Sequence, residues 1–188
     1  MTLESDRPLP VIHARRERRP ANLFTVEQLD LEFSNGERRT YERLISRGLG
    51  GVIIVAMPDA EHVLLIREYA CGFHRYELCL PKGRLEPGED ALAGANRELQ
   101  EECGFGAREL TSLGALTMAP GYMTHATQVV LARDLYPSRL PGDEPEQLEV
   151  LTWSMDDLVS LVQREDCSEG RSIAALYMAR DLIARGQV

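Results

Sequence analysis

GRLEPGEDALAGANRELQEECGF, residues 83–105, packs a turn, a helix and a row of acids into one short stretch. Pro87-Gly88 is a turn pair, and Gly83 just before it allows a close approach of backbone. Leu92, Ala95, Leu99 and Cys103 recur at spacings of three and four. That period predicts a helix over about 90–103 with one buried face, ended by Gly104 as its C-terminal cap. Glu98, Glu101 and Glu102 stand at i, i+3 and i+4, so their carboxylates are expected on one side of the helix, opposite the apolar face. Three like charges that close repel unless cations sit among them. Hard oxygen donors suit magnesium or manganese, which bridge to phosphate oxygens.

Working outward, GVIIVA (51–56) and HVLLI (62–66) are apolar runs separated by a Pro58-Asp59 turn, and predict core strands. Ahead of them, Phe24, Val26, Leu29, Leu31 and Phe33 lead into Asn35-Gly36, a strong hairpin signal, and a second alternating run passes through Tyr41 and Leu44. Residues 1–46 therefore read as a strand and antiparallel β-hairpin appendage, and 47–188 as the main domain. Beyond the helix, 113–119, 127–133 and 148–153 read as strands. Ser154 is placed to cap a helix through Val162, and a last helix covers about 172–185. The whole is a mixed α/β (α+β) pattern around one core.

Composition narrows the partners. Thirty acidic residues against 21 basic give a net charge of −9, which works against long polyanions such as nucleic acid. The basic run RRERR (15–19) reads as a solvated strand or tail, because the rest of the chain is acidic. Small anionic ligands stay compatible where cations sit between them and the acids. Cys71, Cys79, Cys103 and Cys167 form no CxxC pair and no zinc spacing with His13, His62, His74 or His125, so reduced thiols in the cytoplasm are expected. There is no run of about 18 apolar residues, and residues 1–20 are charged and proline-bearing, so neither a membrane span nor an export signal is expected.

Residues 83–105 resemble the Nudix box at every fixed position: Gly83, Glu89, Arg97-Glu98, Glu101-Glu102 and Gly104, with bulky apolar residues at Leu99 and Phe105. From residue frequencies alone such agreement arises on the order of once in a million chains of this size. A solvated acidic helix face, the usual reading of a run like RELQEE, does not account for it. The resemblance implies the Nudix fold, a mixed β-sheet sandwiched between helices. It also implies hydrolysis of a phosphoanhydride in a nucleoside diphosphate linked to another group. In such an enzyme Glu98 and Glu102 are metal ligands, and Glu101 is a further ligand or a contact to a metal-bound water. The carbonyl of Lys82 is another ligand, and Arg97 and Glu89 orient loop and helix. Two or three magnesium ions are implied per site, with manganese as a substitute.

Substrate is read from the loops. Pro120 and Tyr122, in APGY (119–122), stand where ADP-ribose-cleaving members carry a proline and dinucleoside-polyphosphate-cleaving members a tyrosine that stacks on a base. A plain Pro-Gly turn followed by a buried tyrosine is the alternative. DEPEQLEV (143–150) is similar to the acidic loop of ADP-ribose pyrophosphatases, which implies Glu144 as general base and Glu146 as a loop metal ligand. Were the loop not to supply the base, Glu101 is the next candidate. Residues 23–36, 95–107, 134–138 and 142–146 are similar to bacterial members that act on ADP compounds. The implied substrates are ADP-ribose, diadenosine polyphosphates such as the triphosphate-bridged form, and NADH, with release of AMP or a mononucleotide. A homodimer built through residues 10–45 is implied as well. Arg67, Glu68 and Tyr69 are candidates for the nucleoside pocket, with a strand-end surface role as the alternative. ELCLPKG (77–83) departs from the ADP-ribose group, which carries alanine in place of Lys82 and a glutamate nearer the box glycine, so Glu77 has no assigned role. Two other functions share the box. Pyrophosphohydrolysis of RNA 5′ ends is opposed by the acidic surface, and a non-catalytic ADP-ribose sensor would be expected to carry an eroded box.

Overall fold

The computed structural model describes residues 11–18, 24–46 and 48–188; Arg19 of the basic run lies outside them. Two compact units are formed, one by the described residues of the N-terminal segment together with Ala119–His125, the other by Gly48–Met118 and Ala126–Val188.

In the N-terminal unit, β1 (Val11–Arg18), β2 (Phe24–Glu32) and β3 (Arg38–Ser46) form an antiparallel sheet in that order. The expected hairpin is β2–β3. Its turn is closed by the Gly36 N–H donating to Phe33 O at 2.9 Å, with Gly36 at φ +82°. In a glycine this left-handed conformation carries no Cβ penalty. β1 adds a third strand, so Arg15 and Arg16 of the basic run are exposed strand residues, and Arg16 reaches Asp30 at 2.6 Å. Residues 119–125 join this unit: the Leu44 N–H donates to Tyr122 O at 2.7 Å and the Thr124 N–H to Leu44 O at 3.0 Å.

The second unit is layered around β4 (Gly51–Ala56), which is buried along its whole length. Val52, Ile54 and Ala56 pack with Ala95 and Leu99 of α1 (Ala91–Glu102) and with Cys103, which caps its C-terminus. From the opposite face of the strand, Ile53 and Val55 pack with Leu158 and Leu161 of α2 (Leu158–Val162) and Ala175, Leu176 and Ala179 of α3 (Gly170–Ala184). An apolar strand with no polar alternation is what burial on both faces requires. The remaining strands are β5 (His62–Ala70), β6 (Arg75–Cys79), β7 (Lys82–Arg84), β8 (Phe105–Thr117), β9 (Ala126–Pro137) and β10 (Glu149–Ser154). They make a mixed sheet in the order β7-β4-β9-β8, with β4 parallel to β9, and an antiparallel sheet in the order β10-β5-β6. This is the sheet between helices that the sequence implied.

Several boundaries differ. β5 continues to Ala70 and β8 begins at Phe105 rather than 113, because both carry on as polar, partly exposed pairings beyond their apolar runs. Ser154 caps a short 3-10 turn at Met155–Asp157, and α2 follows it. Leu92, expected on the buried face of α1, is exposed. The first turn of α1 meets its neighbours through Gly94 instead, where an added Cβ would lie 2.6 Å from Leu85 Cδ2. Glu77 acquires a place: buried on β6, it accepts from Arg75 Nε at 2.5 Å and from the Ser168 N–H at 2.9 Å, clasping the 166–168 loop. All four cysteines are free thiols.

Leu99 is fully buried between α1 and the sheet. Leu99→Ala should destabilise the protein by about 2–5 kcal/mol through the cavity it leaves, measured as a lowered urea midpoint with the slope unchanged.

Candidate active site

The loop that enters α1 is held by one guanidinium. Arg97 Nε and Nη2 donate to the two Glu89 oxygens at 2.9 and 3.0 Å, and Nη2 also donates to Arg84 O at 2.8 Å. Nη1 donates to Glu98 Oε1 at 2.9 Å and Glu101 Oε2 at 2.7 Å. Glu89 in turn accepts from the Glu86 N–H at 3.0 Å, and Asp90 caps α1 through the N–H groups of Leu92 and Ala93. Charge-assisted bonds of this kind are the strong ones. Loop and helix are thereby fixed in one geometry. Gly83 is required by the same packing: an added Cβ would lie 1.9 Å from the Glu98 carboxyl carbon.

The three acids do not stand opposite the apolar face. Glu102 follows Ala95 by seven residues, which at 3.6 per turn is two turns less about 20°. It therefore shares the apolar stripe and is 7% exposed. Its carboxylate accepts from the Lys82 N–H at 2.9 Å. Burial pushes its protonation up to about 8, outweighing that hydrogen bond and the Lys82 charge. Glu98 is pushed up as well, by burial first, against the pull of Arg97. Beside them Lys82 Nζ pairs with Glu68. Burial works against the Lys82 charge, but Cys79 and Glu68 outweigh it and hold the ammonium above the ordinary lysine value. The Cys79 thiol is itself raised to about 12 by burial.

These groups line a cavity of about 990 Å³ whose far wall is the segment 139–148. Glu98, Glu101, Glu102, Lys82, Arg97 and Glu68 share it with Glu144 and Glu146. The Glu144 carboxyl is raised by burial and then by the charges of Glu68 and Asp143. Glu146 Oε1 accepts a hydrogen bond from the Tyr76 hydroxyl at 2.5 Å. Among the described residues, no three carboxylate, imidazole or thiol groups converge closely enough to hold an ion by themselves.

The structure gathers only some of the residues singled out from the sequence. Arg67 is not in the cavity wall: its Nε donates to Glu149 at 2.9 Å and its Nη1 to Asp166 at 2.7 Å, and with Arg164 it holds the Asp166 carboxyl well below the usual range. Pro120 and Tyr122 belong to the N-terminal unit, and Tyr122 is 56% exposed, so the buried-tyrosine alternative is overturned. Arg84, Arg139 and Asp143 also line the cavity, and Tyr76 touches it through Glu146. None carries a periodic signal; Arg84 falls in the 83–105 stretch at a position the box leaves open, and Asp143 falls in the DEPE run.

A carboxylate-lined cavity, in which an arginine of α1 ties the loop entering the helix to the acids of its wall, suits the chemistry of a phosphoanhydride hydrolase. Residues 49–175 match the NUDIX domain, and the chain belongs to the Nudix hydrolase family. Residues 10–43 match the NudE-type Nudix hydrolase N-terminal domain. The chain is 47% identical over 167 residues to the ADP compounds hydrolase NudE of Escherichia coli (strain K12), covering 89% of each chain. It is 29% identical over 149 residues to the ADP-ribose pyrophosphatase of Bacillus subtilis (strain 168), covering 78% of this chain and 80% of that one. A crystal structure of an ADP compounds hydrolase superposes with a TM-score of 0.87 at 44% identity, over 98% of this chain and 100% of the other.

The buried Glu102 has a consequence for stability. Its folded value, about 8, exceeds the ordinary 4.5, so the folded state holds a proton that the unfolded chain has lost. That contribution is complete below the ordinary value and is lost as pH rises towards 8. In chelator, Glu102→Gln should therefore melt higher than the parent, by a margin that grows from pH 5 to pH 8. A margin independent of pH would refute the burial argument.

Proposed function

We propose that this protein hydrolyses the pyrophosphate bond of ADP-linked compounds, namely ADP-ribose, diadenosine polyphosphates such as the triphosphate-bridged form, and NADH, releasing AMP or a mononucleotide. The observation that carries this reading is the facing of Glu98, Glu101 and Glu102 by Glu144 and Glu146 across one cavity, in a chain 47% identical to an ADP compounds hydrolase.

The donor set fits a divalent cation. It consists of hard oxygens, two of them on carboxyls that burial makes costly to ionise without a positive neighbour. Glu98, Glu101, Glu102, Glu146 and the Lys82 carbonyl would hold it, with magnesium expected at two or three ions per site and manganese as a substitute. Such ions supply Lewis-acid stabilisation of negative charge on the phosphate oxygens.

The chain's own groups do the rest. Glu144 takes the proton of the water that attacks phosphorus in line, and its raised carboxyl value makes it a better acceptor at working pH. Arg97 keeps Glu98 and Glu101 facing the cavity. Glu68 fixes the Lys82 side chain. Arg67 braces β5 against β10, beside the pocket that Glu68 lines. Pro120 and Tyr122 are assigned to the nucleoside, for which the exposed Tyr122 ring offers a stacking face. The acidic balance and free thiols support a cytoplasmic enzyme of small nucleotides that acts apart from nucleic acid and membrane. Residues 10–45 are assigned to a homodimer interface.

Release of AMP from ADP-ribose, diadenosine triphosphate and NADH, followed side by side with magnesium, tests the reading. Glu144→Gln should lower kcat by roughly 10²–10⁴-fold with the magnesium requirement unchanged, the scale of losing a general base. Glu146→Gln should instead raise the magnesium concentration needed for half-maximal rate. Full turnover after exhaustive chelation would defeat the cation assignment. Deletion of residues 1–45 should give a monomer in sedimentation, and a truncated protein that stays dimeric would defeat the interface.

A further inference from the structure

Segment 141–148 forms one wall of the cavity and carries both loop glutamates, yet it is tied down at few points. On its N-terminal side the chain is anchored to α1: the Ser138 N–H donates to Gly104 O at 3.0 Å, the Ser138 hydroxyl to Gln100 Oε1 at 2.7 Å, and the Leu140 N–H to Gln100 O at 3.3 Å. On the other side Glu149 opens β10 and pairs with Arg67. Between them, among the described residues, 141–148 makes no backbone hydrogen bond. Among the described residues its one side-chain hydrogen bond is the Tyr76 hydroxyl donating to Glu146 Oε1 at 2.5 Å.

The donor is well braced. Tyr76 stands directly across from Tyr69 in the β5–β6 register, with ring centroids 5.8 Å apart at 66°. The Tyr69 hydroxyl is fixed in turn by His74 Nδ1 at 2.6 Å. A cross-strand aromatic pair of this kind restricts the ring even where it is solvated. At 47% exposed, Tyr76 is only partly covered, so core packing does not account for an aromatic ring here. Its polar end is directed to the loop.

We propose that Tyr76 is a positioning residue for the reaction, fixing Glu146, and through it segment 141–148, over the carboxylate cavity. The assignment rests on the reading of Glu146 as a cation ligand. One carboxylate oxygen is engaged by Tyr76 and the other is left for the cavity. Without the phenol hydroxyl the ligand must be ordered each time a cation binds, which weakens binding without touching the chemical step.

Tyr76→Phe keeps the ring and its contact with Tyr69, so the fold is preserved. In the full-length protein it should lower the backbone amide order parameters of residues 142–144 and 146–148, read by NMR relaxation. It should also weaken Mn2+ binding, measured by calorimetry without substrate, by roughly three- to tenfold, the scale of one hydrogen bond. The magnesium concentration for half-maximal ADP-ribose hydrolysis should rise in parallel, with kcat at saturating magnesium close to the parent. In a Glu146→Ala background, Tyr76→Phe should have no further effect on the order parameters or on Mn2+ affinity. Order parameters across the segment equal to the parent, or a Tyr76→Phe effect of the same size in the Glu146→Ala background, would overturn the proposal. Unchanged Mn2+ affinity in Glu146→Gln would instead defeat the ligand reading of Glu146, and the relaxation measurement would still decide whether Tyr76 holds the loop.

Discussion

The guanidinium of Arg97 is the fixed point of the site. One planar group bonds Glu89, Glu98, Glu101 and the carbonyl of Arg84, so a loop without regular structure and a helix are held in the same frame. Only arginine has enough donors in a rigid fork to do this; lysine would bring a single ammonium. The arrangement also solves an electrostatic problem. Glu98 and Glu101 sit one helical turn apart and would repel, and the shared cation between them allows both to face the cavity. Gly83 is drawn into the same frame, since the space its missing side chain leaves is filled by the Glu98 carboxylate.

Two glutamates of this unit are buried to nearly the same extent and end in opposite states. Glu77 is 5% exposed and Glu102 is 7% exposed. For both, burial opposes the charge. Glu77 meets Arg75, the Ser168 N–H and the Ser168 hydroxyl, and these overcome it and hold its carboxyl below the usual range. Glu102 has the Lys82 N–H and a lysine already committed to Glu68, with Glu98 and Glu68 adding like charge. A buried carboxylate matched by a cation and several donors is a structural clasp, and one left with a single backbone donor on a cavity wall is available for binding.

How much of this was legible in the sequence depended on whether a residue's partner lay within a local period. β4, the start of β5, α1 and α3 announced themselves as apolar patterns, because burial on one or two faces writes such a pattern directly. β6 and β7 did not: one is half polar and the other spans three residues, and both owe their strand form to neighbours distant in sequence. The box acids were legible through their fixed spacing, but the side of the helix they share was misjudged for Glu102. The role of Glu77 depends on Ser168 and that of Tyr76 on Glu146, contacts set by strand register and chain return rather than by any short-range pattern.

The parallel pairing of β4 with β9 has a bearing on how the chain reaches its native state. Those two strands sit side by side at the centre of the sheet, yet everything from Met57 to His125 lies between them in sequence. Closing so long a loop is entropically costly, and contacts of this separation slow folding. Until the pair closes, GVIIVA and QVVLA are uncharged, proline-free apolar segments with unpaired backbone groups, a composition prone to intermolecular strand pairing. The strands that lie at the centre of the finished sheet are thus also the segments whose composition favours intermolecular pairing while they wait for one another.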